Sequence, residues 1–165
     1  MASGATKSLA FILLILNLVL YGIVTFIAGW AVNYGIERSA EIASALTFPA
    51  HIFPIYYPIG NMATSFFVIF ALIAGLVGVA TSISGISNIL HWNVPNLLSA
   101  ATYSITTWSL TILAMGLACK EINLGFRDSN LRTLEVLTII LSATQLLCMG
   151  AIHIGVTDVI NQHRH

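Results

Sequence analysis

The sequence predicts an all-α fold: a polytopic membrane protein whose four transmembrane helices form a bundle. Two observations carry this prediction. Charged residues make up only 7% of the 165 residues, against about 25% in soluble domains. Residues 8–36, 42–119 and 136–157 contain no Asp, Glu, Lys or Arg, and a charge at the centre of a bilayer costs about 2.5–3.5 kcal/mol. Long stretches without charge are therefore what insertion into lipid requires.

The uncharged stretches divide into four segments of membrane-spanning length, within a single membrane domain of residues 1–165. About 20 helical residues are needed to cross the roughly 30 Å of hydrocarbon in a bilayer. The predicted helices cover about residues 8–32, 61–86, 97–119 and 131–156.

Residues 33–60, between the first two helices, predict an interfacial loop rich in proline and aromatic residues. Pro49, Pro54 and Pro58 interrupt its apolar second half. Because proline lacks a backbone N–H and clashes with the preceding helical turn, this half cannot be a spanning helix. We expect it to lie at the interface, with its phenylalanine and tyrosine side chains in the headgroup region of the bilayer, or to fold back over the bundle as a lid.

The second predicted helix carries a face of small residues, which predicts close helix packing. Small residues let two backbones approach each other in lipid. The face consists of Ala71, Gly75, Gly78, Ser82 and Gly85, separated by steps of four, three, four and three residues. Its partner is either another helix of the same chain or a second copy, so a homo-oligomer is one open interpretation.

No arrangement of residues in the sequence indicates an enzyme. The chain has no nucleophile elbow, metalloprotease motif or P-loop, and its five histidines share no metal-ligand spacing. The expectation is therefore no catalytic residue, no metal and no cofactor. The formal net charge is zero and no basic run occurs, so no nucleic-acid partner is expected. The lipid bilayer is the partner that the composition implies.

Polar residues inside the predicted spans are the candidate site. Such residues usually face the interior of a bundle or a water-filled cavity. The candidates for lining a ligand path are Asn17, Trp108, Gln145 and His153. In one interpretation they only form hydrogen bonds between helices, each worth about 0.6 kcal/mol. In the other they line a path for a small amphipathic solute. The long uncharged stretches argue against an ion-coupled pump, which carries intramembrane carboxylates.

A second set of candidates lies near the ends of the third and fourth predicted helices. Lys120, Arg127 and Arg132 are cationic residues in or beside the third connection. One role for them is to anchor the helix ends at the membrane interface. The other is to attract a carboxylate or an anionic headgroup.

Four segments of the chain resemble the plant AWPM family of abscisic-acid-inducible plasma-membrane polypeptides. They are AGWAVNYGIE at 28–37, FPIYYPIGNMATSFFVIFALIAGLVG at 53–78, LAMGLACKEI at 113–122 and LRTLEVLTIILSATQLL at 131–147. The resemblance implies a multi-pass protein of the plant plasma membrane that is linked to abscisic acid, stress responses and seed maturation. Members of the family have been implicated in abscisic-acid uptake, but no family motif assigns binding residues.

The leading functional hypothesis is a plasma-membrane facilitator of abscisic-acid uptake, based on the resemblance and on the polar residues within the spans. Two alternatives stay open. One is a structural protein that stabilises the plasma membrane during dehydration or cold without transporting anything. The other is an accessory subunit of a larger membrane complex.

Overall fold

The computed structural model describes residues 2–45, 63–125 and 128–163. Within these ranges every secondary-structure element is an α-helix, which confirms the predicted fold class. The four helices are α1 (Ala2–Ala45), α2 (Thr64–His91), α3 (Val94–Leu124) and α4 (Ser129–His163). All four are long and apolar enough to cross a membrane.

The helices form a four-sided bundle in which each packs against two neighbours. α1 contacts α2, α2 contacts α3, α3 contacts α4, and α4 closes the ring against α1. Consecutive helices are antiparallel, so the α2–α3 turn, the start of α1 and the end of α4 lie at one end. We call this the Asn93 end, after a residue of that turn. The α3–α4 connection lies at the other end, the Gly125 end.

The helices extend beyond the predicted spans. α1 has 44 residues, which corresponds to about 66 Å at 1.5 Å per residue, more than twice the thickness of the hydrocarbon. Residues 33–45, predicted as part of the interfacial loop, are therefore the last turns of α1. Asn33–Glu37 and Arg38–Glu41 side-chain bonds of 2.8 and 2.7 Å join successive turns there. The proline-rich remainder of the predicted loop lies outside the described residues.

Only Trp92 and Asn93 separate α2 from α3. Trp92 turns the chain in a left-handed conformation with φ of 41°, and the Lys7 ammonium lies 5.6 Å from its ring centroid. Asn93 caps α3, because its side-chain oxygen accepts a hydrogen bond from the Asn96 N–H at 3.1 Å. Pro95 follows in the first turn of α3, where its missing N–H removes no helical hydrogen bond.

The surface and the interior of the bundle have the polarity expected in lipid. Large apolar side chains point outward: Phe26 is 80% exposed, and Ile12 and Leu147 are each 62% exposed. Polar side chains point inward, as Asn17 is fully buried and Gln145 is 3% exposed. Since hydrocarbon offers no hydrogen-bond partners, polar groups must find partners within the bundle.

The small-residue face of α2 packs against α1 of the same chain. A Cβ atom added to Gly75 would lie 3.2 Å from the backbone nitrogen of Thr25, and one added to Gly85 would lie 3.0 Å from the Leu14 side chain. At Gly78 the added atom would overlap the Tyr21 ring. Ala71 and Ser82, the other members of the face, are also buried. The face is therefore covered within one chain.

Candidate functional site

Buried polar side chains follow the inner face of α3 along most of its membrane-spanning length. Ser104, Thr107, Thr111 and Glu121 are all at most 4% exposed. The 17 residue steps from Ser104 to Glu121 correspond to about 26 Å at 1.5 Å per residue, close to the roughly 30 Å thickness of the hydrocarbon. Hydrogen-bonding groups thus occur at several depths of the bundle. The polar interior denotes these four residues together with six polar residues of the other helices, namely Asn17, Tyr21, Thr64, Thr81, Ser82 and Gln145.

Nearest the Asn93 end, an amide pair joins α1 to α4. The Asn17 side-chain N–H donates to the Gln145 side-chain oxygen at 2.9 Å, and the Gln145 Nε2–H donates to the Ser104 backbone carbonyl at 3.3 Å. Three helices are linked in this way. The Asn17 Oδ1 atom is buried and accepts no hydrogen bond.

Hydroxyl groups join the helices at the middle of the bundle. The Tyr21 hydroxyl of α1 lies 2.7 Å from Thr111 Oγ1 of α3. Thr111 donates its own proton to the Thr107 backbone carbonyl, so Tyr21 is the donor of this pair. Thr81 Oγ1 of α2 lies 2.7 Å from Thr107 Oγ1. Hydroxyl groups both donate and accept, and they exchange partners by rotation.

Near the Gly125 end the interior contains two carboxyl groups. Glu121 is fully buried and accepts a 2.8 Å hydrogen bond from the Thr64 hydroxyl, which joins α2 to α3. Glu135 of α4 is 1% exposed. Neither was a candidate in the sequence, because acidic residues near helix ends usually face solvent. For Glu121, the spacing did indicate burial: it follows Ala114 and Ala118 by seven and three residues, so the three lie on one helix face.

Apolar side chains lie between Glu121 and the hydroxyl pairs. They include Phe67, Val68 and Ala118, of which none is measurably exposed. Phe67 is the largest of these side chains. The polar side chains of α3 are therefore interrupted between Thr111 and Glu121, whereas α4 has the buried Thr138 between Glu135 and Gln145.

A small cavity lies among the four helices beside the amide pair. Its volume is about 10 Å³, roughly the space that one water molecule needs. The polar residues Thr81, Ser82, Ser104 and Gln145 line it, together with Leu14, Gly85, Ala100 and Ile152. The Ser82 hydroxyl, in a residue 2% exposed, has no hydrogen-bond partner.

The structure brings together two of the four residues predicted to line a path. Asn17 and Gln145 are in contact, as described above. Trp108 is half-buried at the edge of the bundle. His153 is exposed on the outer face of α4, where its Nδ1 atom lies 2.8 Å from the Met149 carbonyl. The structure therefore does not bring His153 to the amide pair.

The cations predicted to attract a carboxylate lie at the surface of the Gly125 end. The side chains of Lys120 and Arg132 are exposed, next in sequence to the buried Glu121 and close to the buried Glu135. Arg127 lies outside the described residues. The described part of this end thus has exposed cations and buried carboxyl groups.

Comparisons with known proteins give one family and one curated relative. A model of the AWPM-19-like family matches residues 15–155. The chain is also 36% identical over 154 residues to "Membrane protein PM19L" from Oryza sativa subsp. japonica, and the match covers 93% of this chain and 82% of the relative. No solved structure gives a significant match.

Proposed function

This chain belongs to the AWPM-19-like family of membrane proteins, and we propose that it facilitates uptake of the weak-acid hormone abscisic acid across the plasma membrane. The resemblance of its sequence segments to abscisic-acid-inducible plasma-membrane polypeptides suggests the solute. The polar interior suggests the route, since hydroxyl, amide and carboxyl groups span about 26 Å of α3. This distribution of polar groups is the observation that carries the proposal.

The chemistry of the interior suits a small amphipathic acid. Abscisic acid has an apolar ring and several polar oxygens. Its oxygens would exchange hydrogen bonds with groups such as Tyr21, Thr111 and the Asn17–Gln145 pair, while its ring would pack against aliphatic side chains. A solute that leaves water loses its hydrogen bonds, and replacing them inside the bundle lowers that cost.

The charges favour the neutral acid over its anion. Within the described residues of the Gly125 end, no Lys or Arg side chain is buried among the helices to pair with an anion. Lys120 and Arg132 are exposed, so they act only at the entrance. Neutral acid that enters from an acidic compartment ionises in a neutral one and is retained there. Net uptake then needs no coupled ion.

Passage requires the helices to separate. The cavity of about 10 Å³ is far smaller than the solute, and the fully buried Phe67 lies between the hydroxyl pairs and Glu121. Facilitation would therefore involve transient separation of helices around these positions. Such collective helix motions occur on microsecond to millisecond timescales.

Uptake of radiolabelled abscisic acid into proteoliposomes with an acidic exterior and a neutral interior tests the proposal. We expect saturable uptake above that of empty liposomes. Gln145→Leu should reduce it several-fold, because it removes the partner of Asn17 and the donor to Ser104. Rates should be compared at equal amounts of folded protein.

His153→Leu is the matched control, a polar-to-leucine change on the same helix. His153 faces outward, so its replacement should leave uptake unchanged. Wild-type uptake equal to that of empty liposomes would contradict the proposal. An equal loss in both variants would show that the interior pair is not the route.

A second candidate function is structural stabilisation of the plasma membrane during dehydration or cold. The close packing between α1 and α2 favours it, because close contact between helix backbones is a feature of a rigid bundle. In that case the same proteoliposomes would show no saturable uptake.

A further inference from the structure

We propose that the cavity beside the amide pair is a binding site for a single water molecule, held by the Ser82 hydroxyl and the Gln145 side-chain amide. The proposed site does not depend on any solute being transported. The water would supply hydrogen bonds to polar groups that are buried inside the bundle.

The first observation is the Ser82 hydroxyl. It lines the cavity, belongs to a residue 2% exposed, and has no hydrogen-bond partner in the protein. Burying a hydroxyl without a partner costs roughly 1–3 kcal/mol in proteins. Most helical serines and threonines of this chain avoid that cost by bonding to a carbonyl three or four residues earlier, as Ser104 does to Ala101. Ser82 does not.

The second observation is the Gln145 amide, which belongs to another residue that lines the cavity. One N–H of Nε2 donates to the Ser104 carbonyl, and Oε1 accepts from Asn17. A primary amide has two N–H groups, so one donor is left over. A water in the cavity would accept from this N–H and would exchange a hydrogen bond with Ser82. The Thr81 and Ser104 hydroxyl oxygens, which also line the cavity, offer further acceptors.

The third observation is that the volume of the cavity matches one water molecule. A buried water needs about 10–15 Å³ of accessible volume and two to four polar partners. The cavity offers about 10 Å³ and four polar lining residues, which is room for one water and for nothing larger.

The position of the site gives this water a structural role. Ser82 lies on α2 and Gln145 on α4, which are diagonal in the ring of helices rather than neighbours. The direct hydrogen bonds described above join α1 to α3 and to α4, α4 to α3, and α2 to α3. The water would add a link between α2 and α4 at the level of the cavity.

Solid-state NMR of the protein in perdeuterated lipid bilayers tests this directly, with the probe being water itself. The sequence contains only two glutamines, Gln145 and Gln162, so selective ¹⁵N labelling of the glutamine side chain gives two resolvable amide groups. Gln162 is exposed and provides the positive control for magnetisation transfer from water. We expect transfer to the Gln145 amide as well, in spite of its burial.

Ser82→Ala should abolish most of the transfer to Gln145, whereas Ser84→Ala, the same change at an exposed position of α2, should preserve it. Ser82→Ala should also unfold more easily than Ser84→Ala, because the water loses a partner. Absence of transfer to Gln145 in the wild-type protein would overturn the proposal. Full transfer in Ser82→Ala, or a variant more stable than Ser84→Ala, would remove Ser82 from the site.

Discussion

Replacing Gly78 with leucine is expected to abolish assembly of the bundle. Even a single added Cβ atom at this position overlaps the Tyr21 ring. Tyr21 cannot move aside cheaply, since it is fully buried and its hydroxyl is bonded to Thr111. A leucine side chain would therefore push α1 away from α2. The measurement is the fraction of detergent-solubilised protein that elutes as a single folded species.

The alanine variant gives a graded version of the same test. Gly78→Ala should destabilise the protein by about 1–3 kcal/mol, the usual cost of overpacking. Gly116→Ala is the matched control, because nothing lies within 4 Å of its added Cβ atom. There the better helix propensity of alanine should be neutral or stabilising by up to about 1 kcal/mol. Equal stability of the two variants would contradict the close approach of α1 and α2.

Protein-mediated abscisic-acid uptake should fall on the order of a hundredfold when the external pH rises from about 5 to about 7. Carboxylic acids have pKa values near 4, so above pH 5 the neutral fraction falls almost tenfold per pH unit. If the interior rejects the anion because no described Lys or Arg side chain is buried in it, the rate follows this fraction. The initial rate at constant total solute and constant internal pH is the quantity to measure.

Empty liposomes at each pH supply the background for this measurement, because neutral acid also crosses lipid unaided. Only the saturable part above that background is compared. A saturable rate that stays constant or increases with pH would mean that the anion is carried. The exposed Lys120 and Arg132 would then be the residues to examine.

The sequence predicted the four helices because long uncharged stretches in lipid have few structural alternatives. It also singled out Asn17 and Gln145, since an amide within a span needs a partner from another helix. The helix ends were harder to predict. The pattern of residues 33–45 is helix-like, but it does not show whether such a helix continues the first span or belongs to the interfacial connection. In the structure it continues α1.

His153 shows why helical spacing alone was insufficient. Gln145 and His153 are separated by two steps of four residues, and at 3.6 residues per turn these steps rotate the side chain by about 80°. The inner face of α4 instead follows Leu141, Gln145, Cys148 and Ile152, with steps of four, three and four. Gln145 therefore faces the interior of the bundle, whereas His153 on the same helix faces outward.

Glu121 and Glu135 differ from His153 in that they are buried where the sequence predicts exposure. Charged residues at the ends of spans ordinarily reach toward water, so their type and position predicted exposure. Only the packing of α2 and α4 against α3 decides which face of each helix is inside. The sequence of one helix does not contain that information, although the alignment of Glu121 with two buried alanines was consistent with it.

A double-mutant cycle on Asn17 and Gln145 tests most directly whether the polar groups of different spans meet inside the bundle. Unfolding free energies would be measured for Asn17→Leu, Gln145→Leu and the double variant, with Asn17→Leu combined with His153→Leu as the control cycle. If Asn17 and Gln145 are bonded inside the bundle, their coupling should be favourable by about 0.6–1.7 kcal/mol, and the control pair should be additive within about 0.5 kcal/mol. Additive effects in both cycles would contradict it.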